Sequence, residues 1–486
     1  MSLKIYNTLT GEKEVFKPLH RRKVAMYVCG PTVYHTIHVG NARPYVFFDV
    51  VCRYLNHKGY QVTYVRNITD IDDKIIQRAN EEKKTSAEIA SLYTKAFEQD
   101  MARLKLTPPA SSPKATEHID AMIQWIRALI EKGYAYEAQG EVLFSIHQFK
   151  DYGKLSKRNT DDLIAGARVE VAKHKKNPID FVLWKPSKAN EPSWESPWGK
   201  GRPGWHLECS VMSTHYLGKS FDIHGGGVDL IFPHHENEIA QSEAYHQKPF
   251  VRYWMHNGML VFGKAKMSKS LGNIIAARDF LEKYPAEVLK FILLSNHYRS
   301  SLDFSEQTIL KSIASLERIY TTLSQVSERL KKKGGGTEPV EKEFHETVSR
   351  FFQKIEGAMD DDFNTAEAFG VIFDTVRVAN RYLADHPKLS QKGHKILEAF
   401  VNDFKKLSVI LGLFEQEPSA FLKGLRKCLL RDLDISADEI ESLIRQRNQA
   451  RLEKNWGRAD EIRLQLLKKK IILEDNSGGT VWKVET

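Results

Sequence analysis

Seven of the 18 histidines, at positions 206, 215, 224, 234, 235, 246 and 256, fall in one stretch of the chain, and Cys209, one of only four cysteines, lies among them. Imidazole and thiolate are ligands for a borderline-soft cation, so the clustering points to a metal site. His234 and Glu238 stand four apart just after Pro233, a residue suited to the first turn of a helix. At that spacing both side chains rise from one helix face and can reach one ion. Adding Cys209 and the distant Cys29 makes a set of two sulfurs, one nitrogen and one oxygen, which suits tetrahedral zinc. The competing readings are a surface His/Glu pair and two inert buried thiols, and these residues alone leave both open.

Two further stretches suit phosphate chemistry. His38-Val39-Gly40-Asn41 stands between a strand pattern and a helical pattern, where glycine lets a phosphate approach a helix start. Lys266-Met267-Ser268-Lys269-Ser270 sets two ammonium groups three apart between Gly263 and Gly272, in a loop able to neutralise a triphosphate; the plainer reading is a solvated turn.

The elements that must position these groups follow from the apolar pattern. Val24 to Cys29 reads as a buried strand ending at Gly30-Pro31-Thr32; Val46, Phe47, Val50, Val51, Tyr54 and Leu55 recur with helical spacing; Gln61 to Ile68 is a second strand. This βαβ unit implies a parallel sheet whose ligands bind beyond the carboxyl ends of its strands, the edge where Cys29, His35, His38, Thr69 and Asp70 fall. Residues 108–201 break the pattern with a helix at 116–132, short strands such as 141–146 and a run containing Trp184, Trp194 and Trp198, so they read as an insertion. Strand and helix return at Phe221 to Gly227 and near Pro233. Beyond Ser305 the periodicity is helical, at 306–331, 341–357, 363–385 and 389–412, with 331–336 (KKKGGG) as an interhelical loop.

At roughly 150 residues per domain, 486 residues suggest about three domains, and 42% hydrophobic with 28% charged residues is a globular composition, not a disordered one. Cys29, Cys52, Cys209 and Cys428 are too few and too scattered for a disulfide framework, which suits reduced thiols in the cytoplasm. No run approaches the roughly 20 apolar residues of a membrane span, and Met1 to Glu14 lacks the apolar core of a signal peptide. The net charge is +10, and Arg445 to Lys470 holds nine basic residues against three acidic ones. With Trp456 inside and Trp482 beyond, this segment suits phosphates and unstacked bases. The alternative is an amphipathic helix with Ile462, Leu466 and Leu467 facing a core.

The two phosphate signatures together resemble those of class I aminoacyl-tRNA synthetases, a HIGH-like tetrapeptide and a KMSKS loop. Within that class the chain is similar to the cysteinyl-tRNA synthetases over essentially its whole length, on Tyr27 to Tyr34, Asn67 to Lys74, Gly204 to Ser210, Asp222 to Asp229 and Phe232 to Glu238. One departure is that Asn41 stands where the signature has histidine, and Val39 where it has isoleucine; an amide donates a hydrogen bond but cannot become cationic.

The resemblance implies an α/β fold. A discontinuous Rossmann-like catalytic domain (1–107 and 202–245) would be interrupted by a connective insertion (108–201). A connector with the KMSKS loop (246–305), an α-helical bundle (306–413) and a small helical and mixed anticodon-binding domain (414–486) would follow. It implies zinc held by Cys29, Cys209, His234 and Glu238, and an amino-acid pocket lined by Thr69, Trp205, His224 and Asp229. His38, Lys266 and Lys269 would be catalytic and would bind ATP with Gly40 and Asn41, magnesium accompanying the nucleotide. The implied reaction is ATP-dependent activation of L-cysteine to cysteinyl-adenylate and transfer to the 3′ end of tRNA(Cys) by a cytoplasmic monomer that makes no membrane contact. Zinc would select thiolate over the serine hydroxyl, so no editing domain is required. Two rivals are a cysteine-activating ligase acting on an amino sugar and a catalytically silent RNA-binding paralogue. The first lacks the full C-terminal part, whereas about 180 residues follow the core here; only Asn41 favours the second.

Overall fold

In the computed structural model, which describes residues 2–159, 174–262, 265–266, 275–332, 340–476 and 479–485, the chain opens with a hairpin of β1 (Lys4–Asn7) and β2 (Glu12–Val15). The side chains of residues 262, 265, 266, 432 and 476 are not among those described. β3 (Lys23–Val28) leads into α1 (Val39–His57), and the chain returns along β4 (Gln61–Arg66). β3 and β4 pair in parallel, Lys23 opposite Gln61 through Val28 opposite Arg66, which is the expected βαβ unit. α1 buries Val46, Phe47, Val50, Val51, Tyr54 and Leu55, the residues whose helical spacing marked it, and Phe48 as well.

α2 (Asp73–Glu82) and α3 (Ser86–Arg103) follow, each with a side-chain cap at its start, Asp72 and Thr85. The expected helix at 116–132 begins as a tighter turn, Ala115–His118, before α4 (Ile119–Glu131). β5 (Ala135–Ala138), β6 (Glu141–Phe144), β7 (Phe181–Pro186) and β8 (Gly201–Pro203) form a separate antiparallel sheet in that order.

α5 (Trp205–Leu217) and β9 (Phe221–Gly227) bring the chain back to the first sheet. The helix expected near Pro233 is preceded by a wider turn, Ile231–His235, in which Phe232 is extended; α6 (Glu236–His246) then leads to β10 (Val251–Asn257). The main sheet has the order β10-β9-β3-β4 and is parallel throughout. Because β3 and β9 are neighbours whose onward connections run to opposite sides, the crevice beyond their carboxyl ends is a topological switch point, where such sheets bind ligands.

β11 (Leu260–Phe262) and β12 (Ala265–Lys266) form a short hairpin. α7 (Ala277–Lys283) and α8 (Ala286–Leu294) come next, and β13 (Leu302–Asp303) then adds to β11. The chain divides into two compact units. One comprises Met1–Arg278, Leu293–Asp303 and Gln353–Phe369; the other comprises Asp279–Ile292, Phe304–Phe352 and Gly370–Thr486.

The remaining helices are α9 (Glu306–Leu330), α10 (Lys342–Ser349), α11 (Phe351–Asp360), α12 (Thr365–Asp385), α13 (Gln391–Leu411), α14 (Pro418–Leu429), α15 (Ala437–Leu452) and α16 (Trp456–Lys468). The run expected at 341–357 is thus two helices that meet at Arg350. A hairpin of β14 (Ile471–Asn476) and β15 (Gly479–Val484) closes the described chain. Ile462 and Leu466 pack with Ile471, Leu473, Trp482 and Val484 as expected of an amphipathic helix, but Leu467 is exposed. Trp482 is only 5% exposed and donates its indole N–H to Glu441 at 2.8 Å, so it is a core residue and not a platform for bases; Trp456 is 59% exposed. Among the described residues no helix is long and apolar enough to cross a membrane.

Candidate active site and metal centre

Three separate parts of the chain deliver four donors to one point. Cys29 follows β3 at the carboxyl edge of the sheet, Cys209 lies in the second turn of α5, and His234 and Glu238 lie either side of the start of α6. All four are buried, Glu238 completely. The two Sγ atoms are 3.8 Å apart, Cys29 Sγ is 3.5 Å from His234 Nε2 and 3.8 Å from Glu238 Oε1, and His234 Nε2 is 3.0 Å from Glu238 Oε1. Zinc at about 2.3 Å from sulfur and about 2.0 Å from nitrogen has tetrahedral edges of about 3.8 Å between sulfurs and about 3.5 Å from sulfur to nitrogen. The sulfur–sulfur and sulfur–nitrogen separations match those edges, so these residues fit zinc.

The charges agree. A hydrogen bond from Cys29 brings the Cys209 thiol down to about 6 against its burial, while burial and then Cys209 hold Cys29 well above the ordinary thiol range. Burial would raise Glu238, yet His224 and His234 overcome it and hold the carboxyl at about 2. Burial likewise opposes a charged His234, but Glu238 and Cys209 outweigh it and keep the ring protonated to about 10. These shifts favour negative charge at Cys209 and Glu238 and protons on Cys29 and His234, and a divalent cation would displace those protons.

Neighbouring side chains aim the donors. His206 Nδ1 lies 2.9 Å from His234 Nδ1, leaving Nε2 to face the sulfurs, and Trp205 stacks on the His234 ring at 4.1 Å. His224, fully buried, stacks on Trp254 at 4.5 Å and meets the second oxygen of Glu238 at 2.9 Å. Thr69 Oγ1 donates to Glu208 at 3.1 Å and accepts from Asn67 Nδ2 at 3.3 Å, while Asn67 Oδ1 accepts from the Gly30 N–H at 2.8 Å. This chain ties the start of α5 to the residue after Cys29. One close neighbour went unread in the sequence: His235 Nε2 lies 3.3 Å from Cys29 Sγ, and its Nδ1 is 2.7 Å from His256 Nε2. Cys29, His224, His235 and Glu238 form a second four-donor group whose ligand atoms lie within 4.8 Å of one another. The adjacency of two histidines was its only signal.

A cleft of about 440 Å³ opens beside the cluster, lined by Cys29, His38, Gly40, Asn41, Trp205 and Asp229 among others. Thr69 and His224 are buried outside that lining. His38 is the N-cap of α1: its Nδ1 accepts from the Asn41 N–H at 3.2 Å, and Asn41 Oδ1 accepts from the His38 N–H at 3.2 Å. Asn41, the departure from the signature, therefore closes a capping box. A Cβ on Gly40 would lie 2.9 Å from His38 Nδ1, so this position needs glycine for close approach. Backbone bonds from Val39 N–H to Ile275 O (3.0 Å) and from Ala277 N–H to Ile37 O (2.9 Å) join the end of the lysine-bearing segment to the first signature. Lys266 lies in β12, its backbone paired with Val261; Lys269 lies outside the described residues.

In the second unit a groove of about 900 Å³ is lined by Lys423, Arg426, Lys427, Arg431 and Trp482 among others, with the Arg426 guanidinium over the Trp482 ring at 5.1 Å. Sequence reasoning had placed the basic character at 445–470 and overlooked this face of α14.

Family models match three stretches: a tRNA synthetases class I (C) catalytic domain at residues 15–314, a DALR domain at 354–415 and a cysteinyl-tRNA ligase anticodon binding domain at 436–482. A cysteine–tRNA ligase of Geobacter metallireducens is 53% identical over 486 residues, covering 100% of both chains. One from Pelobacter propionicus is 51% identical over 492 residues, also covering 100% of each. Among solved structures, Mycobacterium tuberculosis methionyl-tRNA synthetase in complex with methionyl-adenylate superimposes with a TM-score of 0.60 at 16% identity, covering 83% of this chain and 91% of that one, a likeness of fold.

Proposed function

The chain belongs to the cysteine–tRNA ligases, a family of class I aminoacyl-tRNA synthetases, and from that membership we propose how its own residues activate L-cysteine with ATP and pass the cysteinyl group to the 3′ end of tRNA(Cys). The observation that carries the reading is the convergence of Cys29, Cys209, His234 and Glu238 at the edge of a cleft that also holds His38, Gly40 and Asn41.

In the first step the cysteine carboxylate oxygen attacks the α-phosphorus, and the bond to the β-phosphate oxygen breaks to release pyrophosphate. Negative charge then builds on phosphoryl oxygens, and positioning with electrostatic stabilisation dominates such transfers. Because His38 Nδ1 accepts from the Asn41 amide, the ring carries its proton on Nε2, where it can donate to a phosphoryl oxygen. Gly40 admits the phosphate to the start of α1, and Asn41 keeps that start closed without adding charge. Lys266 and Lys269 neutralise the departing pyrophosphate, with magnesium travelling on the nucleotide. Asp229 accepts from the cysteine ammonium and Trp205 walls the pocket, while Thr69 and His224 act from behind, through Glu208 and Glu238. Zinc held by Cys29, Cys209, His234 and Glu238 would supply a thiophilic Lewis acid that favours a cysteine thiolate over a serine hydroxyl.

For the transfer step, residues 414–486 are the part proposed to take the anticodon arm. Exposed Trp456 offers a stacking face, and Lys423, Lys427 and Arg431 offer phosphate contacts. A monomer working in the cytoplasm completes the proposal.

Cysteine-dependent exchange of pyrophosphate into ATP and charging of purified tRNA(Cys) test it together. Exchange without tRNA charging would indicate another acceptor, such as an amino sugar, and absence of exchange would indicate a silent paralogue. Lys269→Ala is expected to lower the exchange rate about 10²- to 10³-fold, the effect of losing one transition-state donor. Near-normal exchange by that variant would remove Lys269 from the mechanism.

A further inference from the structure

Arg43 stands on α1 one turn beyond Gly40 and is 1% exposed. No carboxylate meets it among the described residues. Its Nη1 donates to Gly258 O at 2.7 Å and Met259 O at 3.1 Å, and its Nη2 to Ser300 O at 2.7 Å and His297 O at 3.4 Å. Burial brings the guanidinium down only to about 10, so it stays cationic at neutral pH. A buried cation without a counter-ion is costly, and one compensated solely by carbonyls from two separate segments is placed there for its geometry.

The segment it grips is a wall of the cleft. Gly258, Met259 and Leu260 line it together with Gly40 and Asn41, and a Cβ on Gly40 would lie 3.4 Å from Leu260 Cβ. Gly258 itself is pressed on the other clamped segment, since a Cβ there would lie 2.4 Å from Ser300 O. The turn at 297–300 is braced from its far side. Asp362 accepts from Tyr298 Oη at 2.8 Å and Arg299 Nε at 3.0 Å, and Tyr298 stacks on Phe47 of α1 at 4.1 Å.

We propose that Arg43 is a positioning residue for ATP: its forked donors fix the distance between the helix start bearing His38, Gly40 and Asn41 and the opposing backbone at Gly258–Leu260. The proposal rests on the reading of this cleft as the nucleotide site. Lysine at 43 would keep the charge but could not span four carbonyls with a planar fork.

Arg43→Lys is therefore expected to lower kcat/KM for ATP in pyrophosphate exchange about 10- to 100-fold, the scale of a roughly 1 Å misplacement. KM for cysteine, zinc content and transfer of cysteine from preformed adenylate to tRNA should stay within about twofold of the unsubstituted protein, because none of them uses the triphosphate. An unchanged kcat/KM for ATP, or equal losses toward ATP and cysteine, would overturn the proposal. Should Arg43→Lys not fold, Asp362→Asn loosens the same turn from behind and is expected to raise KM for ATP selectively; a loss confined to cysteine, or none, would count against Arg43 as well. Failure of the unsubstituted protein to exchange at all would instead remove the reading of the cleft, and that failure appears before any substitution is made.

Discussion

Cys209→Ser should purify with little zinc and show cysteine-dependent pyrophosphate exchange lowered at least about 100-fold. Altering merely an outer partner of a metal ligand lowers affinity by about 10- to 100-fold, and this substitution removes a ligand outright. Cys209 is buried, its sulfur lies 3.8 Å from that of Cys29, and the hydrogen bond from Cys29 pulls its thiol below the ordinary range, which favours the thiolate a metal binds. A serine hydroxyl there stays protonated, so the ligand set loses one negative charge and its second soft donor together. Burial keeps water from making good the loss. Two measurements check the expectation apart from the exchange rate: zinc per chain by mass spectrometry, and the sulfur-to-metal absorption band after cobalt replacement, which should weaken. Cys52→Ser is the control. Cys52 is also buried, on α1, but its sulfur accepts from Asn56 Nδ2 at 3.6 Å and belongs to no four-donor group among the described residues, so zinc and exchange should be retained. Full zinc and unchanged exchange in Cys209→Ser would end the assignment of this cluster as the metal centre.

The parts of this site that a linear reading could reach are those set by local periodicity. The i, i+4 spacing named His234 and Glu238, and the strand-turn-helix pattern placed Cys29 and His38 at one sheet edge. His235 escaped because residues adjacent on an ordinary α-helix point about 100° apart, so only one of the pair should face the sulfurs. In the wider turn at Ile231–His235, with Phe232 extended, both do, at 3.5 and 3.3 Å from Cys29. The parallel pairing of β3 with β4 followed from the βαβ pattern, whereas the order β10-β9-β3-β4 depends on long crossovers that leave no local trace. Trp482 was misjudged for a related reason. Counted as part of a basic stretch it suggested a base platform, but in β15 the two-residue alternation turns Trp482 and Val484 inward together. Leu467 shows the helical version, its neighbour Leu466 taking the buried side of α16. Depth behind a cleft is equally invisible in sequence: Thr69 and His224 are buried, bonded to Glu208 and Glu238, which no local pattern shows.

Gly30→Ala should be among the most damaging of small substitutions. A Cβ there would lie 1.6 Å from Asn67 O and 2.7 Å from Asn67 C, both backbone atoms, so no rotamer change relieves the clash. Gly30 follows β3 and Asn67 follows β4, and the two strand exits are laced together beyond that point by Thr69 N–H to Pro31 O at 3.1 Å and Val33 N–H to Thr69 O at 3.2 Å. Forcing them apart strains this lacing, breaks the bond from Gly30 N–H to Asn67 Oδ1 and displaces Cys29, the adjoining residue, from the other three donors. Overpacking that side chains can absorb costs about 1–3 kcal/mol. Here the backbone itself must yield, so about 3 kcal/mol is a floor, which at about 2.1 cal/mol/K of unfolding entropy per residue over a unit of about 300 residues lowers the unfolding midpoint by at least about 5 °C. Zinc content should fall with it. Gly424→Ala separates this steric cause from a general intolerance of alanine: Gly424 is exposed within α14 with nothing within 4 Å of its would-be Cβ, so that variant should gain up to about 1 kcal/mol from helix propensity. A Gly30→Ala protein that melts within a degree of the original and keeps its zinc would mean that the ends of β3 and β4 are not in contact, and the convergence of Cys29 with Cys209, His234 and Glu238 would lose its scaffold.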